Sequence, residues 1–402
     1  MNALDGSFEG VRALSIDLKS GDVSVCVALA DSWRVEYGGG RDGAPLVERT
    51  GDALRITGQG VGHMNISIVA PSTLDRVDVD TGYHSRASGA VTVEGVRGYT
   101  RLHTGCGPVT LRGAGGQADI QTGAGAVVVE GFEGTLSAAS GAGSITATGL
   151  NGEAKLHTGA GRITVHDVDG HLTAHSGSGD VVVTSGAGEA TLHSGFGTIA
   201  VESPRGLAVA ADTGMGGVRV GDGVVRDLKL KSNMGAVHCS AVLMQGRHEL
   251  ETAMGAVTLI LPDDAAARID AQTTFGSVTS AFPLVRVGRS GPMGFGGVRM
   301  VGTIGGEAQT DVTLRSSKGA ISIKRRAAGE VLMPVPFEVT APHTQTSNLE
   351  KAADSTLAVL EALARGEVTP AEAEDLLHGV AALGRPAKRR PRAFPGYAFR
   401  ST

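Results

Sequence analysis

Apolar and polar positions alternate along the chain in a phrase that keeps returning. In LHTGAGRITV, Leu156 is apolar and His157 polar, Thr158-Gly159-Ala160-Gly161 makes a turn, and Ile163 and Val165 alternate with Arg162 and Thr164. Period-2 alternation with β-branched residues predicts strands on both sides of a tight corner. No helical pattern follows the second glycine. The Gly-x-Gly is therefore not a dinucleotide-binding loop, which needs a third glycine and a helix opening directly after it.

Equivalent phrases begin at Leu102, Ile120, Ala138, Ala174 and Leu192, and the second glycine recurs at Gly89, Gly107, Gly125, Gly143, Gly161, Gly179 and Gly197, every 18 residues. The spacing then loosens through Gly216, Gly235, Gly255, Gly276, Gly296 and Gly319. A strict short period marks a stacked architecture. One coil cannot bury its apolar side, but stacked coils can, each strand bonding to its equivalent one period later. The expectation is an all-β fold, a parallel β-solenoid (β-helix) of 18-residue and longer coils, with a small C-terminal αα-hairpin. Val109, Val127, Ile145, Ile163 and Val181 form one expected inward column, and Leu102, Ile120, Ala138 and Leu156 another. Val96, Ala114, Phe132, Leu150 and Val168 line the second corner. The corner glycines are expected where φ is positive or two backbones approach closely. The Thr and Ser residues before them are expected to hydrogen-bond the corner backbone.

Residues 1–80 lose the period but keep strand-like runs such as VSVCVAL and MNISIVAP, which reads as irregular N-terminal coils and a cap. Residues 81–326 are the Gly-punctuated solenoid. Within it PMGFGGVRM is expected to form a long corner or hairpin, and DVTLRSSKGAISIKR the last coil. Unpaired end coils would permit end-to-end polymerisation. Residues 327–353 are a Pro- and Thr-containing linker. Residues 354–381 predict the helical hairpin. Leu357, Leu360 and Leu363 have helical spacing before Gly366, Thr369-Pro370-Ala371-Glu372 is a capping box, and Leu376 and Leu377 lie on the second apolar face. So short a hairpin buries little core alone, so these five leucines are expected to dock on a partner. Residues 382–402 form a basic tail expected to be disordered, in which Lys388, Arg389, Arg390 and Arg392 are candidates for contact with an anionic membrane or polyanion.

Composition sharpens this picture. The chain has 61 Gly in 402 residues, about twice the usual ~7%, and their periodic placement makes them corners rather than flexible linkers. Aromatic residues are only 3%, so small and β-branched side chains must fill the interior. The net charge is −5, although the tail is basic. Cys26, Cys106 and Cys239 are far apart and form no Cys-x-x-Cys, which points away from a zinc module or a disulfide framework. The N-terminal residues show no apolar leader, and no apolar run reaches the ~20 residues of a membrane span. The expectation is a cytoplasmic chain, peripheral to the membrane through its tail.

Candidate chemistry is sparse. His157, His175 and His193 share an outward column and would stack about 5 Å apart. With no fourth ligand in the column they are weak candidates for a metal site, and no metal or cofactor is expected. Asp167, Asp169 and Asp180 are dispersed at corners, where Asp is a turn residue. No acid pair of the kind glycosidases use is visible. The expectation is no catalytic residue, no enzyme and no small-molecule substrate.

The T/S-G-x-G-x-V/I-x-V units from 88 to 325, the preceding MNISIVAPSTL and the closing TLRSSKGAISIKR together resemble a bacterial "putative adhesin" family, a Gly-rich beta-strand-repeat domain of unknown function. LEALARGEVTPAEAEDLL resembles a short helical-hairpin module that accompanies this solenoid and occurs in other envelope-stress and membrane-associated bacterial proteins. The resemblance implies a non-enzymatic scaffold acting by self-assembly or protein recruitment in an envelope-stress response. The alternative is a carbohydrate-binding or carbohydrate-active protein on a β-helix.

Overall fold

A computed structural model describes residues 2–3, 10–28, 33–39, 44–58, 63–82, 89–290, 297–306 and 309–326. The described residues fall within one compact unit, and the expected linker, helical hairpin and basic tail lie outside them.

The period is the register. Val109 pairs with Val127, Val127 with Ile145, Ile145 with Ile163, Ile163 with Val181 and Val181 with Ile199, all in parallel. Beyond Ile199 the ladder continues to Val218, Val237 and Val257 through coils one or two residues longer. The predicted inward columns are buried, and one apolar core runs from Val11 to Ile323. A parallel β-solenoid is the observed architecture.

Close approach explains the glycine corner. A Cβ on Gly161 would run into the carbonyl oxygen of Gly143, and one on Gly143 into that of Gly125. The hydroxyl column locks this contact. Thr158 Oγ1 donates to Gly143 O at 2.8 Å, Ser176 Oγ to Gly161 O at 2.9 Å and Ser194 Oγ to Gly179 O at 2.8 Å. These side chains are buried, so each hydroxyl depends on its carbonyl rather than on water for a partner. Replacing Thr158 by Val keeps the shape and removes the donor, at an expected cost of about 1–2 kcal/mol. Urea midpoints of the two proteins measure it, and an unchanged midpoint would refute the locking role.

The second corner works differently. Gly113, Gly131 and Gly149 sit there at φ 55°, 64° and 65°, and the next three coils place Asp167, Ser185 and Ser203 in the same left-handed state, at 53°, 62° and 50°. A side chain there costs roughly 1–2 kcal/mol. Ser185→Gly is therefore expected to stabilise the protein by about 1 kcal/mol, net of the entropy glycine gains when unfolded. A thermal melt checks this, and a lowered Tm would show that Ser185 makes a compensating contact.

The ends depart from the expected order. Ala13–Leu18 lies between Ala53–Thr57 and Arg76–Thr81, so the chain's first coil is slotted inside the stack. At the other end Thr310–Lys318 and Ile321–Arg325 insert between the coil ending at Leu261 and the strands Ala267–Phe275 and Val278–Ser280. The DVTLRSSKGAISIKR segment is thus last in sequence but not outermost in space. Antiparallel strands flank part of each outermost coil. Leu46–Thr50 and Arg34–Gly39 pair antiparallel with the N-terminal end coil. Gly297–Ile304 covers Ala267–Phe275, with Val285–Ser290 outside it as the expected hairpin. Antiparallel strands thus cap Ala53–Thr57, Met64–Pro71 and Ala267–Phe275, while Val278–Ser280 pairs with Ile321–Arg325 alone among the described residues.

Candidate interaction surface

The solenoid turns alternate residues outward in straight columns. One runs His157, His175, His193, Asp212, Lys231, Glu251, Arg315 and Gln272 on successive levels. The three imidazoles stack as their spacing predicts, with ring centroids 5.0 and 4.6 Å apart and planes within 15° and 11°. Desolvation, then the neighbouring His193 and His157, lower the pKa of His175. Zinc–nitrogen bonds of about 2.0–2.1 Å require ligand nitrogens closer together than parallel rings at this separation place them. The column therefore does not converge on an ion as it stands. Among the described residues no group of three or more His, Cys, Asp or Glu is placed to hold a metal.

After His193 the charges alternate in sign. His193 Nδ1 lies 3.9 Å from Asp212 Oδ2, and Lys231 Nζ lies 3.3 Å from Glu251 Oε2. Cross-strand pairs this exposed contribute little to stability, but they fix the charge pattern that the face presents.

The corner acids serve local structure. Asp180 accepts from Arg162 Nη2 at 3.0 Å and from the Thr198 amide at 2.9 Å, and Asp167 accepts from Arg205 at 3.3 Å. Asp169 is exposed one level below Ala187. A hollow of about 810 Å³ beside Met244, Leu261 and Thr310 contains one carboxylate, Asp264, where glycoside hydrolysis calls for two. Trp33, the single tryptophan, packs partly buried against the core rather than standing free as a sugar platform.

The residue just before the second corner glycine forms a surface that the period alone did not announce. In the early coils it is small: Cys106, Ala124, Ala142, Ala160, Ser178. From the next coil it becomes large and apolar. Ser178 pairs with Phe196, Phe196 with Met215, Met215 with Met234 and Met234 with Met254, and Lys318 separates Met254 from Phe275. Phe196 is 59% exposed, Met215 45%, Met234 41%, Met254 45% and Phe275 61%. Gly214, Asn233 and Ala253 flank this ridge on one side and Gly217, Ala236 and Ala256 on the other, so its neighbours along the chain leave these side chains exposed. The signal was present in the sequence as a change in the x of Gly-x-Gly, read there only as a corner. The expected docking residues Leu357, Leu360, Leu363, Leu376 and Leu377 and the anion-binding candidates Lys388, Arg389, Arg390 and Arg392 lie outside the described residues.

Residues 171–324 match the family model described as Toastrack DUF4097. Among solved structures the chain is similar to a protein from Clostridium sporogenes ATCC 15579 described as a "putative cell adhesion protein", with 9% identity, 81% of this chain and 98% of that chain covered, and a TM-score of 0.18. No curated protein matches the chain.

Proposed function

We propose that this β-solenoid, with its Toastrack-type segment, is a non-enzymatic scaffold that works by protein contact, through self-assembly or recruitment. The exposed Phe/Met ridge on a rigid array carries the reading. Contiguous exposed apolar side chains on an otherwise polar surface mark an interaction site, and methionine adapts readily to a partner's shape. The helical hairpin expected from the sequence around Leu357–Leu377 would supply a second docking element. The Lys388–Arg392 cluster would draw the cytoplasmic protein to the anionic face of a membrane, where envelope-stress proteins of the resembling kind act.

Size-exclusion chromatography with light scattering, on the full chain and on a chain ending at Arg326, tests this. The expected result is a full-chain mass above the 40.7 kDa of one copy. A second arm measures sedimentation with anionic vesicles at low and high salt, and binding lost at high salt is expected. A monomer that captures no protein and binds glycans would replace this reading with the carbohydrate one.

A further inference from the structure

The Phe/Met ridge is self-complementary when reversed. We propose that it pairs with the same ridge of a second copy, antiparallel, about a two-fold axis passing between the Met234 and Met254 levels. This rests on the scaffold reading and names its partner.

The order of levels carries the argument. Along the stack the ridge reads Phe196, Met215, Met234, Met254, Lys318, Phe275, six levels spanning roughly 24 Å at the strand spacing of about 4.8 Å. Reversal places Phe196 against Phe275 of the other copy and Met234 against Met254. Met215 meets the aliphatic stem of Lys318, whose ammonium can reach water.

The adjoining outward column agrees. It reads Asp212, Lys231, Glu251, Arg315 over the middle four levels. The same axis sets Asp212 against Arg315 of the other copy and Lys231 against Glu251. The next outward column puts Lys229 and Glu249 on the two central levels, and they also face opposite charges. No like charges meet in either column. A parallel pair about the solenoid axis would instead set these charges against the opposite flank, where Gly217, Ala236 and Ala256 carry none and the next outward column, Arg219, His238, Thr258 and Ser322, offers Arg219 to Asp212 but no acid to Lys231 or Arg315. An anionic lipid surface could pair only Lys231 and Arg315 and would leave Asp212 and Glu251 facing like charge, whereas a reversed second copy pairs all four, so a second copy is the better-matched occupant. A narrow ridge with charged edges belongs to the small, reversible class of interfaces.

The test uses the full chain in sedimentation velocity across a concentration series. The wild type is expected to shift reversibly from monomer to dimer. The Met234→Lys/Met254→Lys variant is expected to stay monomeric with an unchanged melt, since both side chains are exposed. Glu251→Lys alone and Lys231→Glu alone should each dimerise at least about tenfold more weakly, because like charges then face each other twice in the symmetric pair. Mixed in equal amounts, these two variants should recover association, since every facing pair becomes opposite in sign. A wild type that stays monomeric overturns the proposal, including one that binds vesicles instead. So does a mixture that fails to recover. A Met234→Lys/Met254→Lys variant that still dimerises also overturns it, while leaving assembly through another surface intact.

Discussion

Gly161→Val is expected to be among the most damaging single substitutions in the solenoid. The new side chain would have to occupy the space of the Gly143 carbonyl oxygen, and its Cβ would also come within 3.0 Å of Thr158 Oγ1. Neither is the far end of a flexible side chain. The coil must therefore move away from the one below it, stretching the 2.8 Å bond from Thr158 to Gly143 O and the ladder from Ile145 to Ile163. Overpacking alone costs about 1–3 kcal/mol, and the lost hydroxyl bond adds about 1. In a stacked array each coil contacts only its neighbours, so damage in the middle divides it. Urea unfolding should show a lower midpoint and a transition split into two steps. Ala160→Val, one residue away in the outward x position, should leave the midpoint unchanged. If the two variants behave alike, close backbone approach is not what requires the glycine.

The sequence shows most where each residue's neighbour lies a fixed distance along the chain. Leu156 and Ile163 repeat with the coil, so their burial, and the hydroxyl bond of Thr158, could be read directly. The same reasoning stops where neighbours depart from the period. Val257 pairs with Ile321 rather than with Val278, and Ile321 then bridges the two. Spacing cannot reveal that insertion, because the chain leaves the stack to build the hairpin ending at Ile304 and returns to an inner level. The left-handed corner escaped for another reason. Asp167, Ser185 and Ser203 replace glycine at the same φ, so composition hides a column the backbone preserves. The ridge was legible but unread, because a Gly-x-Gly interpreted by its glycines leaves the middle residue without a role. The leucines of the hairpin and the cations of the tail remain expectations from the sequence.

His248 should make the protein acid-sensitive, and His248→Leu should remove much of that sensitivity. His248 stands in an inward column between Leu228 and Val312 and has no exposed surface. Its Nε2 bonds the Met244 carbonyl at 2.9 Å, and its Nδ1 is buried without a hydrogen-bond partner. Burial lowers its pKa, more than the Met244 bond and the charge of Asp227 raise it. The fold thus favours the neutral ring, while the unfolded chain protonates near the ordinary value of about 6.5. Its contribution to stability is complete above that pH and is lost as pH falls through the folded-state value. Carboxylates titrate lower, near 4, so the upper part of the loss belongs to histidine. His175 and His238, also lowered mainly by desolvation, act in the same direction and leave a residual slope. Leucine fits between Leu228 and Val312, and Met244 O keeps the Thr310 hydroxyl at 3.4 Å. Removing the unpaired nitrogen should add about 1 kcal/mol even at alkaline pH, with a larger gain on the acid side. Thermal melts of both proteins from about pH 8 to 5 decide it. Parallel curves with a constant offset would mean that His248 does not titrate in this window and that the acid sensitivity arises elsewhere.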